Sequence, residues 1–150
     1  MREYTLESEQ WLPRPLEEVF AFFSDARNLD RITPPWLRFQ VLTPQPVRLQ
    51  PGARIDYKLR LRGIPLRWQS EITHWDPPRG FVDEQRRGPY RRWRHRHSFE
   101  ARDGGTLVRD QVAYSVPGGW LAPFLQRVLV GRDLERIFAF RRAALRGLMG

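Results

Sequence analysis

YRRWRHRHSFE, residues 90–100, is the stretch that decides how this chain folds. Arginine occupies positions 92, 94 and 96, and Trp93, His95, His97 and Phe99 fill the places between them. A side-chain period of two is typical of a β-strand with one face buried and the other in water. The pattern therefore predicts a strand whose arginines point outward and whose aromatic and histidine side chains point into a core.

The rest of the chain extends this strand into a sheet. Further segments with the same period, bounded by Gly or Pro, are residues 2–12, 37–43, 53–62, 65–75, 80–87 and 105–116. Short connections between the last six strands predict an antiparallel meander. Helical spacing predicts a helix after Pro15, a short helical turn in residues 28–33, and one long helix over residues 120–148 with a kink at Gly131.

A single antiparallel sheet with one apolar face buries that face most simply by curling around the long C-terminal helix. We therefore predict an α+β helix-grip fold: a curved, seven-stranded antiparallel sheet, two short helices after strand one, and one domain spanning residues 1–150. The gap that such packing leaves between helix and sheet predicts a pocket.

Polar residues on the inward face are the candidates for function. Asp83, His95 and Asp110 share the face of the apolar residues, and a four-residue loop at 102–105 would set His95 opposite Asp110, His97 opposite Val108 and Asp83 on the other side of His95. A buried carboxylate needs a partner. Three interpretations of Asp83, His95 and Asp110 follow. They form a buried network whose members satisfy one another's hydrogen bonds, they orient a bound ligand, or they include an acid–base pair with His95 as base.

We expect a ligand to contact the inward residues of the strands and one helix residue. These are Tyr57, Leu59, Trp68, Asp83, Gln85, Trp93, His95, His97, Asp110, Tyr114 and Phe138. Two histidines at i and i+2 with a neighbouring aspartate could hold a metal, but Trp93 and Phe99 on the same face favour a dry wall. We predict no metal and no cofactor.

Composition narrows the classes of partner. The chain has 150 residues, a net charge of +9 and 26 basic residues, of which Lys58 is the only lysine. A positive charge of this size is compatible with nucleic acid or anionic lipid as a partner. The inward tryptophans, which could stack on bases, are separated from the outward arginines, and this argues against nucleic acid. The chain lacks cysteine, a signal-peptide pattern and an apolar run long enough to span a membrane. We expect a cytoplasmic monomer or homodimer.

The sequence also resembles a known family. Residues 13–39 (PRPLEEVFAFFSDARNLDRITPPWLRF), 81–90 (FVDEQRRGPY), 93–99 (WRHRHSF) and 105–117 (GTLVRDQVAYSVP) are similar to the SRPBCC superfamily, the helix-grip group of START domains, Bet v 1-like proteins and polyketide cyclases. The similarity is to its small bacterial stand-alone ligand-binding proteins. It implies a cavity for a small hydrophobic or amphipathic molecule, without a defined reaction.

Three functions are compatible with these features of the sequence. The first is binding of such a molecule, which we favour over an enzymatic role. The second is a polyketide cyclase/aromatase-like or hydratase-like enzyme that uses His95 as base, oriented by Asp110. The third is binding of nucleic acid or anionic lipid through the arginine-rich surface.

Overall fold

The sheet contains seven strands and is antiparallel throughout. The computed structural model of the protein describes residues 2–44 and 49–150. The strands are β1 (Tyr4–Leu12), β2 (Gln40–Val41), β3 (Arg54–Leu61), β4 (Ile64–Asp76), β5 (Gly80–Arg87), β6 (Arg92–Arg102) and β7 (Gly105–Ser115). Strands β2 to β7 pair in chain order, and β1 pairs with β7. The sheet is the predicted meander, extended at β7 by the N-terminal strand.

Helical segments lie after β1 and after β7. After β1 come α1 (Leu16–Phe23) and 3-10 turns at Ala26–Asn28, Asp30–Ile32 and Pro35–Leu37. After β7 come a 3-10 turn at Gly119–Leu121, α2 (Ala122–Leu125), a π-helical turn at Gln126–Val130 and α3 (Gly131–Met149). Within the described residues, no helix has the length and apolar character needed to cross a bilayer. The order of elements confirms the predicted helix-grip arrangement.

The core lies between the inward face of the sheet and helices α1 and α3. Apolar residues recur on both helices at helical spacing, so each helix turns one stripe toward the sheet. The buried members are Val19, Phe20 and Phe23 on α1 and Leu134, Phe138, Leu145 and Met149 on α3. Burying each side chain of this size contributes about 1.5–3 kcal/mol, so these stripes hold both helices against the sheet.

The turn between β6 and β7 is shorter than predicted. Asp103 and Gly104 have positive φ angles of 52° and 76°. This is the conformation of a two-residue type I′ hairpin turn, for which Asp-Gly is a favoured sequence. Arg102 therefore pairs directly with Gly105, and the connection has two residues where we predicted four.

This turn corrects the predicted strand register by two positions. His97, and not His95, lies opposite Asp110, and Val108 does not face His97. On the other side of β6 the prediction is confirmed, because Asp83 of β5 pairs with His95. A shift of two residues keeps each side chain on its face, so the predicted inward residues remain inward.

The predicted strand at residues 37–43 is wrong for most of its length. Only Gln40–Val41 pairs as a strand. Pro35–Leu37 forms a 3-10 turn, and Arg38 has a left-handed φ of 46°. That backbone conformation interrupts the extended chain that a longer strand would need.

The predicted kink at Gly131 corresponds to the π-helical turn that directly precedes it. Gly131 itself has helical dihedral angles. A Cβ atom at this position would lie 3.0 Å from the carbonyl oxygen of Gln126, a tight contact that would require the neighbouring backbone to shift slightly. Glycine therefore permits the wider turn that joins α2 to α3.

Candidate functional site

A cavity of about 190 Å³ lies between the inward face of the sheet and α3. Its wall is mostly apolar, and much of it is aromatic. The aromatic residues of the lining are Phe23, Phe39, Tyr57, Trp68, Phe81, Tyr90, Trp93 and Phe138. An apolar protein cavity of about 150 Å³ can hold one benzene molecule, so this cavity has room for a molecule of one or two rings.

Large rings at the inward positions of three strands form the aromatic wall. Tyr57 of β3 pairs with Trp68 of β4, and their rings stack with centroids 6.0 Å apart. Trp68 meets Trp93 of β6 edge to face at 5.3 Å. Tyr90 lies 4.8 Å from Trp93. Stacked and edge-to-face contacts both stabilise aromatic pairs, so the rings support one another and hold the wall in one shape.

A buried serine gives this wall one polar point. The Ser70 hydroxyl accepts a hydrogen bond from the Trp68 Nε1–H at 3.0 Å and bonds the Tyr57 hydroxyl at 2.8 Å. Burial raises the pKa of Tyr57 far above its ordinary value, so its hydroxyl stays protonated. The bond between the two hydroxyls uses one of their two hydrogens. The second hydrogen is available to an acceptor atom on a ligand.

The other polar part of the cavity is formed by two stacked histidines on β6. The rings of His95 and His97 lie 3.7 Å apart, and Phe81 stacks on His97 at 4.3 Å. His95 Nε2 lies 2.8 Å from Asp110 Oδ1, and His97 Nε2 lies 2.6 Å from Asp83 Oδ2. Each histidine therefore bonds the aspartate diagonal to it, and not the one directly opposite in register.

Arg141 of α3 completes the cluster and is not among the residues predicted from the sequence. Its Nη2 atom lies 3.1 Å from Asp110 Oδ1 and 3.5 Å from His97 Nδ1. The guanidinium also lies over the Phe23 ring, 5.2 Å from its centroid. Arg141 follows Phe138 by three residues and precedes Leu145 by four, so it occupies the apolar stripe of α3. The presence of an arginine within the apolar stripe of the helix was the signal in the sequence that could have identified Arg141.

Burial and hydrogen bonding determine the charges in the cluster. Burial lowers the pKa of His97 to about 4, more than its bond to Asp83 raises it. Burial alone would raise the pKa of Asp110, but the Arg141 charge and the bond from His95 outweigh it and hold that pKa far below the ordinary value. Asp83 behaves in the same way, with His97 as its main partner. Both carboxylates are therefore ionised and His97 is neutral at neutral pH.

These charges determine which ring nitrogens of the histidines carry hydrogen. An ionised carboxylate only accepts hydrogen bonds, so His97 donates from Nε2 to Asp83 and its Nδ1 is an acceptor. Arg141 Nη2 donates to that Nδ1, which agrees with this tautomer. His95 likewise donates from Nε2 to Asp110. No hydrogen bond within the described residues engages His95 Nδ1.

The cluster also contains a potential set of metal ligands. Asp83, His95 and His97 present ligand atoms within 4.8 Å of one another. A cation held by these atoms would lie close to the Arg141 guanidinium, which is 3.5 Å from His97 Nδ1 and whose charge repels it. The arrangement therefore favours a hydrogen-bonded network over a metal centre.

The cavity brings together most of the predicted ligand contacts. Those that line it are Tyr57, Leu59, Trp68, Asp83, Trp93, His95, His97 and Phe138. The structure places the other three outside the lining. The Gln85 side chain bonds the backbone of Tyr90, Tyr114 stacks on Tyr4, and Asp110 lies behind the histidines as their partner.

The arginines of β6 lie on the opposite face of the sheet, as predicted. Arg92, Arg94 and Arg96 are exposed, whereas the rings between them face the cavity or the core. The positive charge of this strand is thus separated from the aromatic wall by the sheet itself.

A family model described as "Polyketide cyclase / dehydrase and lipid transport" matches residues 12–139. The chain therefore belongs to this family, and the predicted resemblance to the SRPBCC superfamily is confirmed. No curated protein matches the sequence at a significant level.

Solved structures share the fold over almost the whole chain. Protein Ms6760 from Mycobacterium smegmatis is 22% identical, with a TM-score of 0.71 over 96% of this chain and 89% of that one. The Zhui aromatase/cyclase from Streptomyces sp. R1128 is 16% identical, with a TM-score of 0.75 over 97% and 93%. A START superfamily protein from M. smegmatis is 12% identical, with a TM-score of 0.67 over 97% and 99%. At these identities the likeness concerns the fold alone.

Proposed function

We propose that the protein binds one small, mostly apolar, ring-containing molecule in the cavity between the sheet and α3. The observation that carries this proposal is the aromatic wall of Tyr57, Trp68 and Trp93 beside a polar cluster. Pockets of this composition bind through apolar contact and are oriented by a few polar groups.

The charges of the site support a neutral ligand. Two ionised carboxylates, Asp83 and Asp110, accompany one guanidinium, Arg141, while His97 is neutral. A ligand anion would gain little here. The free hydrogen of the Ser70 and Tyr57 hydroxyl pair supports a ligand that carries a carbonyl or hydroxyl oxygen.

A fluorescence titration with 1-naphthol tests this proposal, because the tryptophans of the wall report on a ring beside them. We expect saturable quenching by 1-naphthol that Leu59→Trp abolishes, since the larger side chain fills the cavity. Ile137→Trp, on the α3 side of the lining, is a second filling variant in case the first fails to fold. Ile64→Trp is the matched control, because Ile64 is 62% exposed and lies outside the lining.

Quenching that both filling variants retain would place the probe elsewhere and contradict the proposal. The thermal unfolding midpoint of each variant shows whether it is folded. Native mass spectrometry of the purified protein then reveals any molecule that co-purifies, and its loss from the filling variants would assign that molecule to the cavity.

A second candidate function is acid–base catalysis of the cyclase or dehydrase kind. The supporting observation is that Asp110 holds His95 through Nε2, while His95 lines the cavity and its Nδ1 has no hydrogen-bond partner in the described part of the chain. An imidazole held by a carboxylate can remove a proton from carbon next to a carbonyl group. Such proton removal begins many ring closures and dehydrations.

Hydrogen exchange in D₂O distinguishes binding from this chemistry. We expect the protein to accelerate deuterium incorporation next to the carbonyl of 2-tetralone if His95 is a base, and His95→Gln to remove the acceleration. Glutamine keeps a donor at the place of Nε2 and lacks the Nδ1 lone pair. Exchange at the uncatalysed rate, with 2-tetralone still bound, would leave binding as the function.

A further inference from the structure

Three large apolar side chains project into solvent where β7 passes into the C-terminal helices. Trp120 is 88% exposed, Phe124 55% and Leu121 43%. We call these three residues the apolar tip. Gly118 and Gly119 precede the tip with positive φ angles of 118° and 55°, a conformation that glycine adopts without strain. The resulting sharp turn carries Trp120 away from the sheet.

The tip stands on an ordered base. Ala122 and Leu125, on the other side of α2, pack against the core cluster that contains Val116 and Leu134. Gln126 donates a hydrogen bond to the Tyr114 hydroxyl at 3.2 Å. This segment is thus apolar on its inner and its outer side, whereas a surface helix is normally polar on the outside. Packing against the core explains why the inner side is apolar, but nothing in the described part of the fold explains why the outer side is apolar too.

Exposed arginines lie near the tip segment. Residues 117–132 include Arg127 and Arg132, both exposed, and no aspartate or glutamate. Arg91 of the β5–β6 connection and Arg92, the first residue of β6, are also exposed, and the Arg91 backbone N–H bonds the Ser115 carbonyl oxygen at 3.0 Å, next to the tip segment. Among the described residues none of these four arginines forms an ion pair.

We propose that the apolar tip docks the protein on an anionic lipid bilayer. Tryptophan, phenylalanine and leucine insert at the boundary between headgroups and acyl chains, while arginines around them bind anionic headgroups. The tip is a protrusion and not a groove. A fluid bilayer accepts a protrusion without a complementary pocket, whereas a protein partner would need one. This inference does not rest on the proposed ligand or on the cavity.

Vesicle flotation tests the docking. The probes are vesicles of phosphatidylcholine alone and vesicles of phosphatidylcholine with phosphatidylglycerol at a 3:1 ratio. We expect binding to the anionic vesicles and at least a tenfold lower partition coefficient for Trp120→Ser/Phe124→Ser. We expect a similar loss for Arg127→Gln/Arg132→Gln and when NaCl is raised from about 0.05 to 0.5 M. Trp36→Ser is the matched control, because Trp36 is 47% exposed outside the tip, and it should bind like the wild type.

Several results would overturn the proposal. Failure to bind anionic vesicles would do so, and so would binding that the tip variant retains. A dimer in sedimentation equilibrium that the tip variant dissociates, without vesicle binding, would identify the tip as a contact between two copies of the chain. If the double variant is not folded, the single variant Trp120→Ser gives the same test, since it removes mostly solvent-exposed area.

Discussion

Arg109 and Asp110 are consecutive residues of β7, and each forms an ion pair in a different environment. Arg109 points outward and its Nε atom lies 2.7 Å from Glu9 of β1, with both side chains about half exposed. Asp110 points inward and bonds His95 and Arg141 with only 7% of its side chain exposed. Water screens the outer pair, whereas the inner group depends on its partners for solvation. Removing the charge of one residue of this strand should therefore lower the free energy of unfolding much more than removing the charge of its neighbour.

The largest effect is expected when the inner carboxylate loses its charge. Asp110→Asn keeps the shape of the side chain but removes the carboxylate charge that the buried Arg141 guanidinium contacts, and breaking such a buried pair costs about 3–5 kcal/mol. We expect this loss in the free energy of unfolding measured with urea. Glu9→Gln, which removes the outer pair, should leave the unfolding curve unchanged. Equal effects of the two changes would refute the comparison.

The next effect is a dependence of stability on pH that His97 of the inner face produces. The pKa of His97 falls from 6.5 to about 4 on folding, so the unfolded chain binds more protons between these values. Stability is therefore complete above pH 6.5 and is lost as the pH falls toward 4, by about 3 kcal/mol from this residue. His97→Gln should flatten that part of the curve, because glutamine can still donate to Asp83 but does not titrate. A slope that persists in His97→Gln would assign the titration to another group.

A smaller effect is expected from a neutral polar group on the inner face. Ser70→Ala removes the hydroxyl shared by Trp68 and Tyr57 and leaves their buried donors without this partner, which costs about 1–3 kcal/mol. Ser98→Ala is the outer-face control, because Ser98 lies on the outward side of β6. Thermal and urea unfolding of both variants measure the difference. A Ser98 effect as large as that of Ser70 would show that burial does not decide the cost.

The smallest effect is expected on the outer face of β6. Arg94 and Arg96 are exposed and belong to no ion pair in the described residues. Arg94→Gln and Arg96→Gln should each change the free energy of unfolding by less than about 0.5 kcal/mol. A substantial loss from either variant would mean that the arginine stem covers part of the core.

The candidate site was predictable in part. The period of two in β6 and β7 identified His95, His97 and Asp110 as inward, because alternation follows from backbone geometry alone. The predicted contact of His95 with Asp110 is confirmed, but the period could not identify which aspartate His97 bonds. That choice depends on a two-residue turn and on diagonal contacts across the strands. A register error of two positions therefore left the set of residues and the predicted contact of His95 with Asp110 correct, and placed the wrong residue opposite His97.

Residues that meet the site from elsewhere in the chain were harder to predict. Arg141 reaches the cluster only because α3 packs across the sheet, 31 residues after Asp110 in the chain. Gln85 and Tyr114 have the correct parity, yet their contacts with Tyr90 and Tyr4 place them outside the cavity. Parity identifies the face of a residue but not its position along the cavity.

The sequence by itself determined the order of elements and the two faces of the strands. It hence determined a sheet around a C-terminal helix, with an apolar inner face that carries a few polar residues. These features depend on local periods, turns and breaks, which a chain expresses residue by residue. The tertiary structure alone decided the bond of His97 to Asp83, the place of Arg141 and the exposure of Trp120. Each of these depends on how elements distant in the chain pack together. Packing determines which groups are buried, and burial determines both the protonation of an ionisable side chain and the strength of its interactions.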